Sequence, residues 1–399
     1  MEGKTSCDPC YGGAKQKFDW PSLKWPHKFL IYILNLIGSS EQEQMEEIML
    51  KTLKTAALAA TLFFTGAIAN AEVNLTAHTS GAGTAVQINV TALGEFAADR
   101  GIANIQIKDG QTGSKYNVAL AEGKIDIASL PFVLPFVLSK AVGPYSKLDK
   151  EEAAELASNI RLLYPFTLSI FTLYAYDAKG INGFDGLKGR KILNGPPRGT
   201  ASLNSRSLIQ LMSGLKADED YESVTVNWNQ MPAAIIDGTV DAVLVPAMFP
   251  GPRVTRASAA GAMTMWSMPK DTFEAEASQK FLNKPGSTPY IVPLADIQAA
   301  MGPGWTIISE DDKFRGKAVP GGDMVNKSMD EELAYQLTMA HIENIDSIKK
   351  LAPFMKTLNF GVMDRSVHGL CGANKVKFHP GAVRAWEESG YKVPDCAKP

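Results

Sequence analysis

Thr79-Ser80-Gly81-Ala82-Gly83-Thr84 is a short polar turn between two patterned stretches. Before it, Val73 to His78 alternates apolar and polar residues as a strand does. After it, an amphipathic stretch begins near Thr84 and carries Val86, Val90, Leu93 and Ala97 on one helical stripe, with Gly101 as a stop. In a strand-turn-helix junction of this kind, free backbone N–H groups and the helix dipole converge on one point and attract anions.

The plan continues downstream. Ile102 to Ile107 reads as a second strand, Asp109 to Ser114 as a second polar turn, Lys115 to Glu122 as a short helix and Ile125 to Ser129 as a third strand. This β-α-β-α-β order predicts an α/β fold with a parallel sheet. Asn159 to Leu163 is expected to be a strand ending at Tyr164-Pro165, followed by a separate strand from Leu168 to Tyr176. A second unit then repeats the order: strand Lys191–Asn194, a glycine-proline turn, helix Leu203–Ser213, strand Val224–Trp228, helix Pro232–Asp237 and strand Asp241–Val245.

The two units share local text. Glu122-Gly123-Lys124-Ile125-Asp126-Ile127-Ala128 matches Asp237-Gly238-Thr239-Val240-Asp241-Ala242-Val243 as acid-Gly-x-β-branched-Asp-apolar-apolar. In each, the glycine supplies a left-handed helix end that feeds straight into a buried strand. The repeat argues for two similar α/β lobes rather than one large sheet. Lobe 1 is expected at 72–176, lobe 2 at 177–262 and a return to lobe 1 with C-terminal helices at 263–399. Strands crossing between the lobes would form a hinge beside an interlobe cleft. In the last segment Ser328 to Glu331 reads as a capping box, and His379 as the cap of a final helix that stops at Gly390.

The first 71 residues read as a leader. Met49 to Lys54 is basic, Ala56 to Ile68 apolar, and Ala69-Asn70-Ala71 is small-x-small, the three parts of a secretory signal peptide. Cleavage is expected after Ala71, releasing the chain into the periplasm. Residues 1–48 read as upstream sequence translated from a misassigned start. The alternative is a genuine extension in which Cys7-x-x-Cys10 is half of a metal site. In the mature chain only Cys371 and Cys396 remain, and in an oxidising compartment they are expected to form a disulfide.

A formal charge of −2 gives no electrostatic footprint for nucleic acid. No H-E-x-x-H or G-x-S-x-G motif is present and no nucleophile–base set stands out, so neither a metal, a cofactor nor catalysis is expected. His341 reads as structural, while His78 ends the first strand beside the opening turn. Gly81-Ala82-Gly83 is not a dinucleotide fingerprint, since Val86 stands where a third small residue is needed.

What the pattern supports is binding. Ligands of open α/β sheets sit outside the C-terminal strand ends. The turns Ser80–Thr84, Gln111–Ser114 and Arg198–Ser202 all lie there. Their hydroxyls and amides suit a carboxylate, and Arg198 adds a bidentate fork. Tyr116, Tyr164, Trp228 and Phe249 fall near the same edges and offer an apolar wall.

These residues resemble a known family, the TAXI receptors of tripartite ATP-independent periplasmic (TRAP) transporters, over about residues 73 to 391. The resemblance is carried by Thr79 to Thr84, by Thr112 to Gly123 with Asp126-Ile127-Ala128, and by Arg161-Leu162-Leu163-Tyr164-Pro165. Phe184 to Lys191, Gly199-Thr200, Asp237 to Ala242 and Phe378 to Ala382 continue it. It implies a two-lobed receptor, with a fold like that of type II periplasmic binding proteins, that closes on a small organic acid and delivers it to a membrane permease; the chain is expected to be monomeric. By position it implies ligand contacts at Ser80–Thr84, Tyr164 and Gly199–Ser202. The expected ligand set is therefore Ser80, Gly81, Gly83, Thr84, Thr112, Tyr116, Tyr164, Arg198, Gly199, Thr200, Ser202 and Phe249.

The chain departs from the family at Ala85-Val86, where many members carry aromatics, and at Leu130-Pro131-Phe132, where many are polar. The pocket wall is altered, so the ligand's identity does not carry over. The alternatives are an ABC-type receptor of the same fold and, from another class, an exported α/β transferase or hydrolase. A neighbouring fused permease gene would favour the TRAP reading, and a neighbouring ATPase gene the ABC reading.

Overall fold

The structure is a computed structural model that describes residues 73–197 and 200–399. The leader, its cleavage point, Arg198 and Gly199 lie outside the described residues. Strand β1 (Val73–His78) leads through the Thr79–Thr84 turn into α1 (Ala85–Asp99), β2 (Ala103–Lys108), α2 (Gly113–Ala121) and β3 (Ile127–Pro131). Thr84 is the N-cap of α1: its backbone is extended and its hydroxyl accepts from the Gln87 amide. The expected stripe of Val86, Val90, Leu93 and Ala97 is buried against the sheet. β1 runs parallel to both β2 and β3.

After β3 come α3 (Val133–Ser139), α4 (Lys150–Ser158) and β4 (Ile160–Tyr176). The second unit is β5 (Lys191–Gly195), α5 (Thr200–Ser213), β6 (Glu222–Thr225), α6 (Met231–Ile236) and β7 (Ala242–Ala247), with β5 parallel to β6 and β7. Then follow α7 (Pro252–Ser258), β8 (Met263–Trp266), α8 (Lys270–Glu274), α9 (Glu276–Leu282), β9 (Thr288–Pro293), α10 (Leu294–Met301), β10 (Trp305–Ile308) and β11 (Lys313–Asn326). The C-terminal helices are α11 (Glu331–Ile342), α12 (Ile345–Ile348), α13 (Arg365–His368) and α14 (Pro380–Glu388).

The shared text of the two units has a shared geometry. Gly123 and Gly238 are both left-handed, with φ of 71° and 75°. Asp126 accepts from the Thr76 amide at 2.7 Å, and Asp241 from the Lys191 amide at 2.9 Å. Each aspartate thus ties the entry of the third strand of its unit to the first strand.

Against the expectation of two units rather than one large sheet, the strands form a single 11-stranded mixed sheet whose main path is β2-β1-β3-β11-β4-β7-β5-β6, because the long pair β4 and β11 bridges the two units. Its centre is the antiparallel pair β4 and β11. β11 meets β3 over Gly321–Val325, and β4 meets β7 over Ile170–Tyr174, so the pair belongs to both units. The expected break at Pro165 is absent, and β4 runs unbroken for 17 residues. The reason is directional. The Pro165 carbonyl accepts from Gly361, and the next residue on that side, Thr167, donates to Asn359. The missing proline N–H therefore points away from β11, toward a side closed only by isolated bridges at Phe360 and Phe378. Opposite it, a Cβ on Gly322 would sit 2.3 Å from the Tyr164 carbonyl, so the close approach of the two strands requires glycine there.

The C-terminal segment packs on the first unit. Trp386 is fully buried and its indole N–H donates to the Leu163 carbonyl at 2.9 Å. His379 caps α14 as expected, accepting from Gly381. The cap of α11 is Asp330 rather than Ser328, because the Asp330 carboxylate accepts from Leu333 while Ser328 turns back to Asn326. Cys371 and Cys396 form the expected disulfide, with Cα atoms 5.6 Å apart. Among the described residues no helix is long and apolar enough to cross a membrane.

Candidate functional site

Where the C-terminal ends of β1, β3 and β7 meet the middle of β4 and β11, they leave a cavity of about 810 Å³. Its polar wall is the turn before α1 and the turn before α2. The two turns are joined, since Gly110 and Gln111 donate to the Ser80 and Thr79 carbonyls, each at 3.1 Å. Ser80 and Thr84 share a hydroxyl–hydroxyl bond of 3.0 Å, and Thr84 also donates to the Gly81 carbonyl. Gly83 takes the left-handed conformation this geometry demands (φ 75°) and gives its amide to Gln87. The amides of Gly81, Thr84 and Val86 find no hydrogen-bond partner among the described residues. These three residues line the cavity at the positive end of the 15-residue helix α1.

The opposite wall is apolar and carries one cation. Pro131, Leu168 and Val319 form the floor and Trp228 the far side, while Met248 reaches across so that its sulfur accepts from the Ala85 amide at 3.1 Å. Arg253, in the first turn of α7, enters from that side, its guanidinium 5.1 Å from the Trp228 ring centroid and 3.4 Å from the Pro246 carbonyl. It makes no ion pair with a described carboxylate. Among the described residues Arg253 is the only cation that lines the cavity, and no Asp or Glu lines it.

Of the residues expected at the site, Ser80, Gly81, Thr84 and Thr112 line the cavity. Gly83 shapes the turn without lining the cavity, and a Cβ there would sit 3.3 Å from the Pro252 ring. Tyr116 stands behind the second turn, where its hydroxyl donates to the Ser129 carbonyl, and burial raises its pKa well above the ordinary phenol value. Tyr164 does not face the cavity. It is fully buried and stacks on His341 with ring centroids 4.3 Å apart, on the far side of β4 in the core.

His341 in turn reaches Asp323 at 2.9 Å, a carboxylate that also accepts from Asn89 at 2.7 Å, so this histidine is structural as expected. Phe249 is buried with its ring edge-on to Tyr174 at 5.7 Å. Thr200 is exposed at the start of α5 and Ser202 is buried on its inner face, neither lining the cavity. His78 lies outside the lining too, edge-on to Tyr116. Arg198 and Gly199 lie outside the described residues.

Sequence reasoning missed Arg253 as a site residue. The signal was present: Pro252-Arg253 opens a helix just past the C-terminal end of a strand of the second unit, the same position that marks the other turns. Tyr164 misled because an aromatic before a proline reads as a strand end, whereas here the strand continues and turns that side chain into the core. Among the described residues no group of His, Cys, Asp and Glu is placed to hold a metal ion.

The sequence profile of the NMT1-like family matches residues 75–390. No curated protein matches the chain. Three solved structures are similar at low identity. A periplasmic solute-binding protein of a TRAP system from Desulfovibrio desulfuricans, with bound sn-glycerol-3-phosphate, is 11% identical, with 81% of this chain and 94% of that chain covered and a TM-score of 0.42. A putative periplasmic sulfonate-binding protein of an ABC transporter from Methylobacillus flagellatus is 15% identical over 70% of both chains, with a TM-score of 0.42. A TctC solute-binding protein from Polaromonas is 12% identical over 72% of this chain and 88% of that one, with a TM-score of 0.41.

Proposed function

Because the chain belongs to the NMT1-like family, we propose that it is a periplasmic solute-binding receptor, without catalysis, that captures a small anionic organic solute. The observation that carries this is the asymmetry of the cavity. Residues with unpartnered amides at the start of α1 share the cavity lining with an apolar floor and with Arg253, and no described carboxylate lines it. Such a site stabilises a negative head with helix-end donors and a guanidinium, and gives the solute's carbon skeleton an apolar surface. The leader supports export, and the text from Thr79 to Ala382 supports a TAXI-type TRAP receptor that acts as a monomer and hands its solute to a membrane permease. The two units, joined through β4 and β11, serve as lobes that close on the solute, which shifts an open–closed equilibrium by its preference for the closed form.

The test is a thermal-shift screen of mono- and dicarboxylates, sulfonates and neutral analogues on residues 72–399. A bound solute stabilises the fold by mass action, by about 2.7 kcal/mol at a hundredfold excess over Kd, and so raises the melting temperature. For an anionic hit, Arg253→Ala is expected to weaken binding by at least about ten-fold, the loss of one charge-assisted hydrogen bond. Hits confined to neutral solutes would overturn the anionic reading. An unchanged Kd in both Arg253→Ala and Arg198→Ala would remove the guanidinium from it.

A further inference from the structure

A second groove, of about 560 Å³, lies on the first unit between α3, α4, the start of β4 and the loop 372–377. Its floor is apolar: Phe132, Ile160 and Val376 are all buried, and Phe136 completes it. Its rim holds four cations, Lys140 after α3, Arg161 at the start of β4, and Lys375 and Lys377 on either side of Val376. Among the described residues no carboxylate lines the groove, and none of the four cations forms an ion pair with a carboxylate. The Arg161 guanidinium is half-buried and, among the described residues, donates only to the Ser158 and Ile160 carbonyls. Its burial lowers its pKa with no anion to offset the cost.

The rim is held in place. Cys396 anchors Cys371 at the base of the loop, and the Asn374 side chain joins Gly286 to the His368 carbonyl with bonds of 2.7 and 2.8 Å. A groove with an apolar floor and cations in no ion pair with a described carboxylate fits a complement that is both apolar and anionic. The cations come from three chain segments spread around the floor. A single anionic head would engage one or two of them, whereas an extended acidic segment engages them in series. We propose that this groove docks an acidic segment of a protein partner, an apolar side chain of which rests on Phe132, Phe136 and Val376 while its carboxylates meet Lys140, Arg161, Lys375 and Lys377. This surface is separate from the solute cavity and does not depend on what that cavity holds.

The test uses residues 72–399 and two fluorescein-labelled heptapeptides, one alternating Glu and Leu and one alternating Glu and Ser, followed by anisotropy at about 0.15 M salt. The Glu–Leu peptide is expected to bind at least about ten-fold tighter than the Glu–Ser peptide, because only it fills the floor. The double variant K375E/K377E, and separately Lys140→Glu, are expected to weaken it by a similar factor while leaving thermal shifts from cavity solutes unchanged. Equal binding of the two peptides would reduce the groove to bulk electrostatics and overturn the proposal. So would indifference to the lysine reversals, or dodecanoate displacing the peptide through the same lysines with the lower Kd of the two, which would make the groove a site for small amphiphiles.

Discussion

Lys317, in the middle of β11, is fully buried with its ammonium 4.5 Å from the Phe171 ring centroid and in no ion pair with a described carboxylate. Burial alone lowers its pKa from 10.5 to about 7. The folded state therefore binds fewer protons than the unfolded chain between pH 7 and 10.5, and stability gained from deprotonation rises with pH across that window. Every tenfold loss of proton affinity on folding corresponds to about 1.36 kcal/mol, so the ammonium costs the fold roughly 4–5 kcal/mol at pH 7 and below, and nothing above about pH 10.5. Contact with the Phe171 ring returns about 0.5–2 kcal/mol of this.

Lys317→Met keeps the stem, removes the ammonium, and is expected to stabilise the protein by about 3 kcal/mol at pH 7. Between pH 7 and 9.5 the gain is expected to shrink by roughly 2–3 kcal/mol, since wild type alone recovers stability over that range. Urea unfolding of both proteins at the two pH values measures this. A stability difference that does not change with pH, or a variant less stable than wild type at pH 7, would refute the desolvation argument.

Three further outcomes are expected. Asp323→Ala strips the acceptor from two buried donors, Asn89 and His341, and is expected to cost about 3–5 kcal/mol in urea unfolding. Reducing Cys371–Cys396, which are 25 residues apart, is expected to cost about 3.5 kcal/mol by loop entropy and to lower the melting temperature measurably. Gly322→Ala forces a methyl against the Tyr164 carbonyl and is expected to destabilise by about 1–3 kcal/mol, without changing which solutes score in the thermal-shift screen.

What the sequence showed well was local. The turn at Thr79–Thr84, the cap at His379 and the left-handed glycines at 123 and 238 depend on residues within a few positions of one another, and each sits in the structure as its chemistry requires. What it showed poorly depended on partners far away in the chain. Whether Pro165 ends a strand turns on which side its missing donor faces, and that is set by β11, more than 150 residues downstream. Tyr164 is a core residue because His341 and Trp386 come to lie over it. Asp330 outcompetes Ser328 as a cap because Ser328 is drawn to Asn326 at the end of β11. Arg253 belongs to the cavity because its helix follows β7, whose place in the sheet no local pattern reveals.

The pairing of β4 with β11 also sets the order in which the molecule can be assembled. Ile160 meets Asn326, and β3 gains its second neighbour only when Gly321–Val325 arrives. The first unit, although it begins at Val73, cannot complete its sheet until nearly the whole chain has been made. Contacts this distant in sequence slow folding, because loop closure must come before any of them forms. A nascent chain of this topology stays open through most of its synthesis, because the partner of its first-made strands is among the last to appear.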